Sequence, residues 1–340
     1  MATTSFRIEV MATTDFPEGC PASQRTEVAR GLARRHWTHG LSYMGLREGT
    51  EIFSTEGGEA LLGLRISSGV AVGLGSPIGL ESRMEAVMGA FRRWAGKRGL
   101  LAAMCGLRGE HVRAAEAAGF DVTSVGDEAT VDPRDVDLRG RPWREVRASL
   151  NRSRRRGLGF RWLSKGESEL VGSRLNEVAR AWLDKKALPE LDFAVGGVGS
   201  IRDPDARVGV AEDATRQVLG FVTWVPSKDG WMLELLRYWP GYMAGLADFL
   251  VASSLLEFRD EGCAYASLSG TPMANVGGRT VLGRATLAAV RRLARPGYDF
   301  EGLRHFKQKF NPVWEPLYLA HTGRFGLARA AAAIMGACSP

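Results

Sequence analysis

The sequence is poor in the residues that build small disulfide or metal proteins. Its 340 residues include four cysteines, Cys20, Cys105, Cys263 and Cys338, with no Cys-x-x-Cys pair among them. Neither a disulfide framework nor a zinc site is therefore expected, and the thiols fit as core residues. Histidine is also scarce, at five. His36 and His39 are close in sequence but have no cysteine or carboxylate cluster beside them, so no metal site is expected. Long apolar runs are missing too. The two longest, 246–256 and 327–337, are interrupted by Asp248 and Arg329 and fall short of the roughly 20 residues that a transmembrane helix needs. The N-terminus has no basic start followed by an apolar run, so no secretory signal is expected. The expected location is the cytoplasm, with peripheral contact on the inner membrane face as the membrane option.

What the chain has in quantity is apolar and basic side chains. With 45% hydrophobic and 24% charged residues, it can build a large core, and its length favours about two domains. Lysine and arginine outnumber aspartate and glutamate by 45 to 38, a net charge of +7. The excess is mostly arginine, which grips phosphate in a bidentate way. A polyanionic partner follows from this balance, whether nucleic acid, anionic lipid or a phosphorylated small molecule. Arginine-rich codon usage would give the same totals.

One pattern occurs twice. "EALLGLRISSGVAVGLGSPIG" holds two short apolar runs joined at Ser68-Gly69, a hairpin signal. "LESRMEAVMGAFRRWAGKRG" then has helical spacing up to Gly99, and "LLAAMCGL" is a buried strand. The second half repeats the order with "QVLGFVTWVPSKDGWMLELLRYWPG", "YMAGLADFLVASSLLEFRDEG" and "CAYASLSG". Two β-β-α-β units are thus predicted, the core of the GNAT acyltransferase fold. The fold class is α+β, a tandem repeat of two GNAT-like domains. We place the first at residues 1–140 and the second, carrying the catalytic cleft, at 141–340. Two unrelated α/β segments sharing an element order is the competing reading.

Past the polar, proline-bearing stretch 131–142, the pattern turns helical and strongly basic. Arg144, Arg147, Arg152, Arg154, Arg155 and Arg156 crowd together there, and Val146 and Leu150 can face a core. Such a stripe suits a phosphate backbone, although a solvated arginine helix has the same pattern. GNAT enzymes that use acyl-CoA carry a short Gly-rich turn between the hairpin's second strand and the helix. At that point the two copies have "GSPIGLES" and "RYWPGYMAG", neither of which matches. A donor other than coenzyme A is expected, and no cofactor.

The ordered segments "AVGLGSPIG", "DLRGRPWREVRASLNRSRRRG", "AWLDKKALPELDFAVGGVG", "LELLRYWP", "SLSGTPMANVG" and "FKQKFNPVWEPLYLA" resemble the cytoplasmic catalytic domain of lysyl-phosphatidylglycerol synthase, also called the multiple peptide resistance factor. The resemblance covers nearly the whole chain. It implies a tandem GNAT fold that takes an aminoacyl group from aminoacyl-tRNA and esterifies it onto a polar acceptor, usually phosphatidylglycerol. It also implies a fold relation to the Fem ligases. Two departures stand out. The family's full-length members carry an N-terminal membrane domain that this sequence does not show, so a soluble metabolite acceptor is expected ahead of the membrane lipid. Where the family has Asp-Leu-Met-Arg, this chain has Glu234-Leu235-Leu236-Arg237. An acyl-CoA acyltransferase and a non-catalytic binding protein with a basic cleft remain as other classes.

An aminoacyl-tRNA ester is already activated, so the enzyme's task is to position an acceptor, take its proton and stabilise the oxyanion. Glu234 is the candidate for orienting or deprotonating the acceptor, and Arg237 for gripping a phosphate; a structural ion pair between the two is the alternative. Read as an extended segment, "FKQKF" puts Lys307 and Lys309 on one face and Phe306, Gln308 and Phe310 on the other. The lysines would then meet the tRNA 3′ end or the oxyanion, or guard a solvated strand edge. Trp314, between two prolines, is expected to wall the same cleft or to serve as a core aromatic. By resemblance, Asp192, Phe193 and Gly196 fall in the amino-acid-binding region. Tyr238, Ser267, Ser269 and Thr271 are further substrate-binding candidates. The arginines from 144 to 156 are the tRNA-binding candidates. The C-terminal "RFGLARAAAAIMGACSP" fits either a terminal helix packed on the second domain or an interfacial helix on anionic lipid.

Overall fold

The structure is a computed structural model that describes residues 22–36, 39–47, 49–55, 58–185, 198–272, 299–323 and 325–337. The first half runs α1 (Ala22–His36), α2 (Gly40–Met44), β1 (Glu51–Ser54), β2 (Leu61–Ser67), β3 (Val70–Leu74), α3 (Met84–Lys97), β4 (Leu101–Arg108), α4 (Val112–Ala117) and β5 (Asp121–Val131). After it come α5 (Arg144–Arg155), β6 (Gly159–Trp162), α6 (Glu167–Leu170), α7 (Gly172–Asp184), β7 (Arg207–Glu212), β8 (Val218–Ser227) and β9 (Gly230–Tyr238). The chain ends with α8 (Leu246–Asp260), β10 (Tyr265–Pro272), α9 (Phe300–Gln308), β11 (Val313–His321) and α10 (Gly326–Ala337).

Two compact units form. Among the described residues, the first comprises the chain up to residue 125 together with 316–337, and the second comprises 126–272 and 299–315. In the first unit β1, β2, β3, β4 and β11 are neighbours in that order, with β3 and β4 parallel and the other pairs antiparallel. The β2–β3 turn has positive φ at both Ser68 (50°) and Gly69 (74°), the geometry a tight two-residue hairpin turn requires. Met84, Val87, Met88, Phe91, Trp94 and Ala95 repeat at helical spacing on α3 and bury one face of it against this sheet.

In the second unit the order is β5, β10, β9, β8, β7, β6, with β10 and β9 parallel. One sheet face carries α8, through Trp224, Leu233, Phe249, Leu250 and Phe258. The other carries α7, whose Leu175, Val178 and Ala179 pack with Val210, Phe221 and Leu235. Both copies therefore contain the predicted hairpin, helix and parallel strand: β2-β3-α3-β4, then β8-β9-α8-β10. The fold is α+β, a tandem of GNAT-like units.

The copies differ where it matters for a cleft. β3 pairs with β4 along its whole length, from Val70 with Leu101 to Leu74 with Cys105, and Gly75 N–H adds a bond to the Cys105 carbonyl at 2.8 Å. The buried helix α2 lies against this sheet so closely that a Cβ on Gly63 would stand 1.7 Å from the Gly45 carbonyl oxygen. In the second copy β9 pairs with β10 only from Gly230 with Tyr265 to Met232 with Ser267, and then runs on to Tyr238 paired with β8 but not with β10. The two strands part there.

Two expectations are corrected. The "FKQKF" stretch is not extended: it closes α9, with Asp299 capping the N-terminus by accepting from Gly302 N–H at 2.8 Å. Phe306 and Phe310, four apart, meet edge to face with ring centroids 5.5 Å apart. Five residues of alternation suit a helix as well as a strand, and the cap at Asp299 decides between them. Asn311, at φ 50°, and Pro312 end the turn before β11 begins. The C-terminal helix α10 packs on β2, β3 and β4 in the first unit, not on the second.

Candidate active site

In a regular strand, residues three apart point to opposite faces, which would separate Glu234 from Arg237. The strand is not regular here. Thr223 of β8 pairs with Leu235, and Trp224 pairs with Leu233, so Glu234 is the extra residue of a β-bulge. The bulge rephases β9. Trp231 and Leu233 face the α8 cluster before it, and Leu236 and Tyr238 face that cluster after it. Leu235 turns to the α7 cluster, and Arg237 follows it, its guanidinium carbon 4.1 Å from the centroid of the Trp182 ring of α7. Glu234 accepts a hydrogen bond from Thr223 Oγ1 at 3.2 Å, on this same face. Glu234 and Arg237 are thus brought together just past the last β9–β10 pair, and each is only 6% exposed. A carboxylate and a guanidinium so buried are unusual in a core.

β10 has its own irregularity facing the gap. Its register with β5 shifts between Ser267 and Gly270, and Ser269 sits at φ 73°, a conformation strained for a non-glycine residue. Side chains hold it there. Ser267 Oγ donates to the buried Glu128 of β5 and accepts from Ser269 N–H at 2.9 Å. Lys307 Nζ donates to the carbonyls of Ser269 at 2.8 Å and Gly270 at 2.7 Å. Burial pulls the Lys307 amine down to about 7, opposed by the charge of Glu128. Thr271 is buried opposite Asp127.

Lys309 diverges from Lys307, as two residues about 200° apart on a helix must. Its Nζ is 3.1 Å from Asp248 of α8, and Asp248 also accepts from Ser149 Oγ of α5 at 2.8 Å. The expectation of two lysines sharing one cleft face is therefore corrected: one holds the β10 bulge, the other ties α9 to α8. Trp314 donates to Gln308 at 2.9 Å and lies beneath Arg304, which also pairs with Asp127 at 3.1 Å. Tyr238 packs towards α8. Asp192, Phe193 and Gly196 lie outside the described residues.

The basic helix α5 buries Val146, Ser149, Leu150 and Ser153 and turns Arg144, Arg152, Arg154, Arg155 and Arg156 outward. Several of these guanidiniums already hold backbone. Arg152 donates to the Ala244 carbonyl at 2.8 Å and Arg156 to Tyr242 at 3.2 Å, gripping the loop that leaves β9. Arg147 holds Leu138 and Gly140, and Arg155 its own helix at Asn151. Gly245 closes the gripped loop at φ 88°, where a Cβ would meet Ser149 Oγ at 2.5 Å.

Sequence reasoning missed Trp182, Thr223, Glu128 and Asp248 as members of this site. For Asp248 a signal existed, since a lone acid inside an apolar helical run needs a buried partner. For Trp182 and Thr223 there was none, because their roles depend on which strand faces which helix.

A sequence model described as Phosphatidylglycerol lysyltransferase, C-terminal, matches residues 29–321. The chain is 28% identical to the lysylphosphatidylglycerol biosynthesis bifunctional protein LysX of Nocardia farcinica, over 86% of this chain and 27% of that protein. It is 26% identical to a phosphatidylglycerol lysyltransferase of Staphylococcus aureus, over 83% of this chain and 34% of that protein. It thus spans only about a third of the length of these two relatives. Among solved structures, L-PGS from Bacillus licheniformis superposes with a TM-score of 0.78 at 23% identity, covering 92% of this chain and 95% of that one. Among the described residues no helix is long and apolar enough to cross a membrane.

Proposed function

The chain belongs to the family of phosphatidylglycerol lysyltransferase C-terminal domains, and from that membership we propose that it moves an aminoacyl group, lysyl first among the candidates, from aminoacyl-tRNA to a hydroxyl of phosphatidylglycerol. The observation that carries the reading is the bulge that sets Glu234 and Arg237 on one face at the parting of β9 and β10. The soluble acceptor expected from the sequence gives way to the lipid, because the family description and both relatives' names specify phosphatidylglycerol.

In this reading the acceptor hydroxyl attacks the carbonyl carbon of the aminoacyl ester. A new carbon–oxygen bond forms, and the bond from that carbon to the tRNA ribose oxygen breaks. Glu234 takes the hydroxyl proton and returns it to the leaving ribose oxygen, so no net proton is consumed. Arg237 provides the cation that holds the acceptor's phosphate beside Glu234. Lys307 supports the reaction by holding the β10 bulge, and Lys309 by fixing α9 on α8. The outward arginines of α5 receive the tRNA backbone, with Arg144 and Arg154 the most available of them.

The test is transfer of labelled lysine from lysyl-tRNA in the presence of phosphatidylglycerol vesicles. Labelled lipid that disappears when ribonuclease is added first is the expected product. Label confined to a water-soluble compound from cell extract would restore the soluble acceptor, and acyl transfer from acyl-CoA with none from tRNA would replace the donor.

A further inference from the structure

Strand β8 carries a hydroxyl where packing alone needs none. Val222 and Trp224 face the α8 cluster and Phe221 the α7 cluster, so by strand alternation Thr223 points towards α7, on the side of Leu235. That side is apolar, and Thr223 is fully buried there. A valine has the same shape and would fill the position with no polar atom to satisfy. The two hydrogen bonds of the Thr223 hydroxyl both cross to β9. It accepts from the Leu235 N–H at 3.1 Å and donates to Glu234 Oε2 at 3.2 Å.

A hydroxyl has one proton to give. Because the Leu235 N–H points at the oxygen, that proton is turned away from Leu235, and the Glu234 carboxylate receives it. One side chain thereby pins the bulge twice, at the backbone of Leu235 and at the side chain of Glu234, the extra residue. The glutamate side chain has several torsions, each with more than one well, so a buried carboxylate keeps a single position only if a fixed donor holds it. The bond takes one of the carboxylate's roughly four acceptor sites. It therefore orients Glu234 alongside any other contact that the carboxylate makes.

We propose that Thr223 is a positioning residue, whose hydroxyl fixes the Glu234 carboxylate at the β9 bulge in the place from which it acts on the acceptor. The inference rests on the aminoacyl-transfer reading of the same site. It assigns a part in the reaction to β8, which carries none of the site residues expected from the sequence.

Two cycles on the full chain test it. In lysyl transfer to phosphatidylglycerol vesicles, Thr223→Val keeps the shape and removes the hydroxyl; it is expected to lower kcat about tenfold to a hundredfold with little change in KM. Thr223→Ser, which keeps the hydroxyl, recovers most of the loss. In a Glu234→Ala background, Thr223→Val then has no further effect on the residual transfer. A kcat for Thr223→Val within about twofold of the unmodified protein, or a serine variant as slow as the valine one, would overturn the proposal. Equal losses with and without Glu234 would also overturn it, since the hydroxyl would then serve only the backbone of the bulge. The second cycle is urea unfolding of Thr223→Val, Glu234→Ala and the double variant. The expected coupling is about threefold to tenfold in the unfolding constant, and additive effects would overturn the proposal. If the unmodified protein transfers no lysine, the reading of function fails, and the urea cycle alone decides whether Thr223 holds Glu234.

Discussion

Glu234 owes its place to one extra residue. The resemblance to a known motif pointed to Glu234 and Arg237, but their spacing in an ordinary strand would have set them on opposite faces. The bulge that reunites them arises from pairing with β8, and "LELLRYW" alone gives no sign of it. Replacing the carboxylate by its amide, Glu234→Gln, keeps the shape and removes the proposed proton acceptor. Transfer is expected to fall by about two to four orders of magnitude, while the urea midpoint stays close to that of the unmodified protein. Lys307 was legible as important but placed wrongly, since its partners are carbonyls of a bulge 37 and 38 residues away in sequence. Its titration gives a second prediction. From the folded value of about 7 up to the ordinary value of 10.5, the unfolded chain carries a proton that the folded chain lacks. Stability therefore rises with pH across that window, by up to about 1.4 kcal/mol per unit. Lys307→Met is expected to flatten this slope, as read from urea midpoints between pH 7.5 and 9.5; an unchanged slope would show that the amine is not what titrates.

At the scale of elements, the ββαβ order was legible because hairpin turns, helical periodicity and glycine stops are local signals. The fate of individual arginines was not. The stripe on α5 looked uniform, yet Arg152 and Arg156 hold the loop between β9 and α8, while Arg144 and Arg154 stand outward on α5. Two kinds of effect should follow. The double change Arg144→Ala with Arg154→Ala is expected to reduce the salt dependence of tRNA binding by about two units of slope or somewhat less, without altering thermal stability. Arg152→Ala is expected to lower stability by about 1 kcal/mol, because the loop carbonyl loses a charged donor. A tRNA affinity that ignores salt would place the nucleic acid elsewhere. Helix α9 teaches a related lesson. Its alternating "FKQKF" segment imitates a strand, and the deciding residue, Asp299, lies seven positions before Phe306.

Across the whole molecule, chain order and unit membership part company. β5 starts in the first unit, but from residue 126 its pairing is with β10 in the second, and β11 follows α9 yet pairs with β4 in the first. Long-range pairings of this kind leave no local trace, so element order could be read from the sequence but this exchange could not. Ending the chain at residue 312 would remove β11 and α10, uncovering the β4 edge and the faces of β2 and β3 that α10 packs on. Such a truncation is expected to aggregate, as seen by light scattering, even though it keeps Glu234, Arg237, Lys307 and Lys309. A soluble, monodisperse product would show that the first unit does not need its returning strand. The closed seam between β3 and β4, with α2 lodged against it, also bears on how the protein tolerates change over generations. A duplicated fold has two places where chemistry could reside, and among the described residues it is β9 and β10 of the second copy that part while β3 and β4 stay paired. In a saturation mutagenesis screen, harmful substitutions around Gly63 should lower abundance and activity together. Those around Glu234 should leave abundance intact and silence the enzyme, so one copy bears selection for persistence and the other for catalysis.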